Sequence, residues 1–231
     1  MTGMTEYLPH GRIRLALHLV QKAGENSACH PLLLLHGLGE TSHSHHPSSF
    51  SHWPGPVYAL DFTGHGMSTI PSGGGYSCEI LMGDVDIVLA HIGPATICGR
   101  GLGAYVALLI AGARPAIVRG AVLLDGPGLA GSSPSASPYI PTVDASLPAP
   151  PDPFAVAELA TDARPAEYAV HFALLASQQS PLPHPIAICT KEQPPWLMAV
   201  REALSCDSPN PIDACMQFAV PTVPALADSQ P

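Results

Sequence analysis

Residues 12–20 alternate apolar and polar side chains, with Ile13, Leu15, Leu17 and Leu19 on one parity and Arg12, Arg14 and His18 on the other. A period of two predicts a half-buried strand. The polar stretch 21–30 then predicts a turn. Residues 31–35 form a short, fully apolar run that ends in His36-Gly37-Leu38-Gly39, which suits a central strand feeding a loop. Residues 57–60 predict a second such strand, stopped by Asp61. Over 78–90 the period changes to that of a helix, with Ile80, Leu81, Val85, Val88 and Leu89 on one face. Residues 95–98 are strand-like, Gly99 to Gly103 make a tight turn, and 104–113 read as a buried helix. The run 118–124 predicts another strand, ending at Asp125-Gly126-Pro127-Gly128.

Nearly all-apolar strands alternating with helices predict a parallel sheet covered on both faces. From 132 to 153 the composition shifts to Ser, Pro and Ala without periodicity. Helical character returns over 155–176, interrupted by Pro165. Residues 185–189 predict one more strand, 196–204 a helix, and 216–220 a possible final strand. No internal repeat is present. The expected organisation is a core of 1–131 and 181–231, with 132–180 a cap-like, partly disordered insertion.

Composition narrows the functional classes. With 46% hydrophobic and 12% charged residues, the 231-residue chain can bury a large core. Nine basic against 18 acidic residues give a net charge of −9, which would repel a phosphate backbone and argues against nucleic acid. No apolar run approaches the roughly 18–20 residues of a membrane helix, and residues 1–14 hold no signal-type segment. A soluble cytoplasmic protein is the expectation. Six cysteines without a CxxC pair read as reduced thiols. His43, His45, His46 and His52 crowd one loop, but their Ser and Pro neighbours and irregular spacing predict a solvated loop, not a metal site.

Three segments carry the chemistry: His36-Gly37 after an apolar strand, Asp61-Phe62-Thr63-Gly64-His65-Gly66-Met67-Ser68 after the next, and Gly99-Arg100-Gly101-Leu102-Gly103 between strand and helix. In this order and spacing, and with the run 114–125, they resemble the α/β-hydrolase superfamily, strongly over 12–128 and weakly over 185–231. The resemblance implies an α/β fold with a mostly parallel sheet and helices on both faces. It also implies ester, amide or C–C hydrolase ancestry. The amides of Leu38 and Leu102 take the oxyanion-hole positions, with His36, Gly37, Gly39 and Arg100 around the pocket. Gly99 and Gly103 suit a turn in which strand and helix backbones nearly touch. His65 reads as a local hydrogen-bonding residue within its turn.

The chain departs from the family's G-x-S-x-G pattern at its centre, where Gly101 stands in place of the nucleophilic serine. Cys98 is nearby but belongs to the strand, with its side chain expected to point elsewhere. Glu192, or alternatively Asp125, takes the position of the triad acid. Val223-Pro224 stands where Gly-His is expected, and no histidine follows His184. Losing the serine or the histidine of such a triad lowers turnover on the order of 10⁶. The chain thus reads as a catalytically degenerate hydrolase binding a small apolar ligand or a partner, without cofactor or metal. Gly101 at the elbow is similar to the NDRG-type branch of the superfamily. Two alternatives stand beside this: an active hydrolase with an atypical nucleophile, and a dinucleotide-binding module using Gly99-x-Gly101-x-x-Ala104 with Asp125 as its ribose acid.

Overall fold

The computed structural model describes residues 4–24, 28–42, 50, 52–132, 141, 143, 149–205 and 210–219. Seven strands, β1 (Met4–His10), β2 (Ile13–Gln21), β3 (Leu32–Leu35), β4 (Val57–Asp61), β5 (Ala95–Arg100), β6 (Val118–Leu124) and β7 (Ile186–Cys189), form one sheet in the order β1-β2-β4-β3-β5-β6-β7. β1 and β2 are antiparallel additions at one edge, while β4, β3, β5, β6 and β7 run parallel. The helices are α1 (Cys78–Ile92), α2 (Leu102–Ala113), α3 (Pro153–Thr161), α4 (Ala166–Gln179), α5 (Pro195–Leu204) and α6 (Pro211–Met216).

The two-residue period of the strands divides the core. Leu33, Leu35, Ile97, Ala121 and Leu123 point into a large cluster with α1, α2, α4 and α5. Leu32, Cys98, Val122 and Ala187 point into a smaller one with Trp53 and α6. α2 is buried from Leu102 through Gly112, because strands lie beneath it and α4 beside it. At the elbow, a Cβ on Gly99 would lie 2.1 Å from the carbonyl oxygen of Gly103, so β5 and α2 can pack this closely only without that side chain.

Within 132–180, Pro165 separates α3 from α4 and serves as the N-cap of α4. Ala169, Ala173 and Ala176 bury α4 in the main core, on the way from β6 to β7. Most of 133–148 lies outside the described residues.

Two elements differ from the expectation. Of the possible strand at 216–220, residue 216 ends α6 and 217–219 form a turn, while 220 lies outside the described residues. The Asn210 side chain caps that helix by accepting the Ile212 N–H at 2.9 Å, and Pro211 occupies its first turn. β1 was not evident in the pattern because it is an edge strand in which only Leu8 is buried.

Candidate functional site

The site lies where β3 and β5 end and the 125–131 segment leaves β6. Gly101 has φ 57 and ψ −120, a backbone geometry sparsely populated by residues with side chains. This sharp turn starts α2 at Leu102, so the Leu102 N–H points outward at the positive end of the helix dipole. From the other side, the His36–Gly39 loop directs the Leu38 N–H inward.

Both amides donate to one atom, the carbonyl oxygen of Pro127, each at 2.9 Å. The same loop covers the elbow. A Cβ added to Gly101 would lie 2.1 Å from that oxygen and 2.6 Å from the Gly126 carbonyl carbon. A Cβ on Gly37 would meet the Pro127 ring at 2.9 Å. The chain's own backbone therefore stands where a side chain at 101 would project and where the two N–H groups converge.

The surrounding side chains brace this arrangement. Arg100 forms an ion pair with Glu40, whose other carboxylate oxygen accepts the Gly37 N–H at 2.9 Å. Elbow and His-Gly loop are thereby tied together. His36 accepts the Phe62 N–H at Nε2 (3.1 Å), so Nδ1 carries the proton and donates to the Gly37 carbonyl at 2.8 Å. Burial lowers the pKa of His36 and keeps the ring neutral. His65 repeats the pattern, accepting from the Gly39 N–H and donating to the Thr63 carbonyl. Burial, reinforced by the nearby His36, lowers its pKa to about 3.

Asp125 accepts the N–H groups of Lys191 (2.8 and 3.0 Å) and Glu192 (3.0 Å), so its carboxylate fastens the β7–α5 turn to the end of β6. The Glu192 side chain is exposed. Pro224, His43, His45 and His46 lie outside the described residues, and His52 is exposed. Among the described residues no group of three or more His, Cys, Asp or Glu side chains is placed to hold a metal ion. Cys98 faces the α6 side of the sheet, where a hydrogen bond to Cys215 and burial hold its thiol well above the ordinary range. A small cleft at these strand ends, lined by Leu34, His36, Ser42, Cys98, Arg100 and Leu124, has a volume of about 40 Å³. That is room for a few waters, far below the roughly 300–1,000 Å³ of typical ligand pockets.

Three participants were not evident from the sequence: Pro127, Arg164 and Trp196. Arg164 Nη1 donates to the carbonyls of Gly128 and Leu129. Trp196 Nε1 also donates to Leu129, at 2.9 Å. Together they hold the segment that carries Pro127. The only local signals were the Gly126-Pro127-Gly128 run and the break at Pro165.

The chain belongs to the α/β-hydrolase family, whose family model, described as "Alpha/beta hydrolase family", matches residues 32–229. Similar solved structures include a thioesterase domain from the curacin biosynthetic pathway, at 14% identity and TM-score 0.63, covering 95% of this chain and 98% of that one. Another is Est1E from Butyrivibrio proteoclasticus, solved with ferulic acid bound, at 14% identity and TM-score 0.62, covering 88% and 87%. At these identities the likeness shows the fold alone. No curated protein sequence matches this chain. No helix among the described residues is long and apolar enough to cross a membrane.

Proposed function

We propose that this chain is a catalytically degenerate α/β-hydrolase, which uses the scaffold to bind a small, largely apolar ligand and does not turn it over. One observation carries the reading: the Pro127 carbonyl accepts both the Leu38 and Leu102 amides and lies 2.1 Å from the Cβ position of residue 101. In an active hydrolase those amides stabilise the oxyanion of the substrate, and the side chain at 101 attacks it. Here glycine supplies no nucleophile, and an internal carbonyl satisfies the donors. The glycine-bearing elbow, as in the NDRG-type branch, and Pro224 at the histidine position point the same way.

The atypical-nucleophile reading has less support. Cys98 is the nearest thiol in sequence and lines the small cleft beside His36 and Arg100, but its hydrogen bond to Cys215 and its burial raise its pKa and disfavour the thiolate. Dinucleotide binding is weaker too, because Asp125 is engaged by two backbone amides and Leu102 by Pro127.

Gly101→Ser tests the reading. The new Cβ meets the Pro127 carbonyl, and the positive φ adds backbone strain, so the variant should lose about 2–4 kcal/mol of stability in urea unfolding. Neither it nor the parent protein should turn over p-nitrophenyl butyrate or be labelled by a fluorophosphonate. Saturable ester turnover by the parent protein, or robust turnover after the single substitution, would overturn the proposal.

A further inference from the structure

Arg164 is 95% buried, its residue exposure being 5%. It forms no ion pair among the described residues. Only Nη1 is used, on the carbonyls of Gly128 and Leu129, while Nε and Nη2 have no hydrogen-bond partner. Those two nitrogens form the guanidinium edge that grips a carboxylate with two parallel hydrogen bonds. The backbone of Gly131 closes over this edge, since a Cβ there would lie 2.7 Å from Nε. Gly131 has φ +63, so its backbone favours glycine as well.

A second unpartnered donor belongs to the same cluster. The guanidinium carbon stands 4.9 Å from the centroid of the Tyr105 ring, and the buried Tyr105 hydroxyl has no hydrogen-bond partner among the described residues. Burial pushes the Tyr105 pKa up, so the hydroxyl keeps its proton and remains a donor. Trp196 packs edge-on against Tyr105 at 5.0 Å, and Leu129 is buried alongside. Among the described residues no carboxylate pairs with this cation, and aromatic and aliphatic side chains stand around it, an arrangement whose remaining desolvation cost a bound anion would offset.

We propose that the Nε–Nη2 edge of Arg164, with the Tyr105 hydroxyl, is a subsite for the carboxylate of a small organic acid with an apolar body, reached when the 125–131 segment moves aside. Arg164 has a double role in this scheme. Through Nη1 it holds the segment in place, and through its other edge it receives the ligand. Because Gly128 directly follows Pro127, a movement that admits a ligand to Arg164 also withdraws the Pro127 carbonyl from Leu38 and Leu102. The inference rests on the ligand-binding reading above and names the ligand's chemical class.

The test is titration of the full chain with benzoate by calorimetry, with benzamide as the neutral control. Benzoate should bind saturably, and benzamide at least about tenfold more weakly, as expected when a charge-assisted hydrogen bond is lost. Arg164→Met should abolish benzoate binding. Arg164→Lys, which keeps the charge without the fork, should weaken it by about tenfold or more. Tyr105→Phe removes a hydroxyl that has no partner among the described residues, so it leaves a folded protein in which affinity should fall several-fold. No saturable benzoate binding, equal affinity for benzamide, or undiminished affinity in Arg164→Lys and Tyr105→Phe would overturn the inference. Ester turnover by the parent protein would instead defeat the degenerate reading and leave benzoate binding intact, so the two failures are distinct.

Discussion

Two buried charges flank the reaction centre of this fold, and the protein treats them differently. The Asp61 carboxylate is fully enclosed and receives His18 Nε2 at 3.0 Å, the Ser42 N–H at 2.7 Å and the Met67 N–H at 2.9 Å. Burial alone would raise its pKa, but these hydrogen bonds outweigh burial and hold the carboxyl well below the usual range. The Arg164 guanidinium is nearly as enclosed, yet uses one nitrogen of three. A buried charge whose hydrogen-bonding capacity is met by the fold acts as a structural pin. One whose best edge is unmatched is a candidate for recognition, because its stabilising partner must come from elsewhere.

The comparison is broken most severely at the pin. Asp61→Ala strips the acceptor from the buried Ser42 N–H, the half-buried Met67 N–H and His18, and opens the 61–68 turn. We expect a loss of about 3–5 kcal/mol, the range for removing one member of a buried charged network. Chemical denaturation measures it directly. A loss under about 1 kcal/mol would mean that the turn holds without its carboxylate, and that Asp61 and Arg164 are not opposites.

Much of the scaffold is legible in the sequence, for a physical reason. In a parallel sheet covered on both faces, strands must be apolar and turns must carry glycine, so residues 31–39, 95–103 and 118–128 announce themselves. β1 could not, because an edge strand that buries only Leu8 has no hydrophobic period to detect. The 216–220 run was ambiguous because a short apolar stretch suits either regular element; Met216 ends the helix capped at Asn210, and 217–219 form a turn. The substituted elbow at Gly101 was visible as a departure from G-x-S-x-G. What fills it was not, since the filling group is a backbone carbonyl and carries no side-chain signal. Arg164 was hidden for a related reason. Its partners Gly128 and Leu129 are 36 and 35 residues away, and its unmatched edge exists only once they meet.

Acid sharpens the contrast at intermediate size, through histidines that the fold keeps neutral. His65, lowered to about 3 by burial, binds no proton between that value and the unfolded value near 6.5. In this window the unfolded chain binds more protons, so stability falls as pH falls. The contribution is fully present above about pH 6.5 and is lost at up to about 1.4 kcal/mol per pH unit for each such residue. His36 is shifted in the same direction, and His30, lowered to about 4 by burial, adds to the effect. Asp61 acts with the same sign at lower pH, its stabilisation being lost below about pH 4. Urea midpoints measured from pH 7.5 to 5 should therefore drop, with a shallower slope in His65→Gln. A flat profile would show that these rings are protonated in the folded protein, contrary to their hydrogen bonding.

The smallest effect is expected at Arg164, and its smallness is the informative part. Arg164→Met keeps a long side chain over the Tyr105 ring and removes a buried cation that has no ion-pair partner among the described residues. Against this, the Gly128 carbonyl loses a donor, while the Leu129 carbonyl retains Trp196 Nε1. Relief of desolvation and loss of the Nη1 hydrogen bonds oppose each other, because replacing a buried charge by a packed apolar side chain is often neutral or stabilising. The net change in unfolding free energy should lie within about 1 kcal/mol of zero, far from the Asp61→Ala value. The 125–131 segment should nevertheless loosen, since one of its two side-chain holds is gone. Hydrogen exchange at Leu38 and Leu102, whose amides both donate to Pro127, should therefore accelerate in the variant with little change in global stability. A large global loss with unchanged exchange at those two amides would make Arg164 a structural pin like Asp61, with no separate hold on the Pro127 segment.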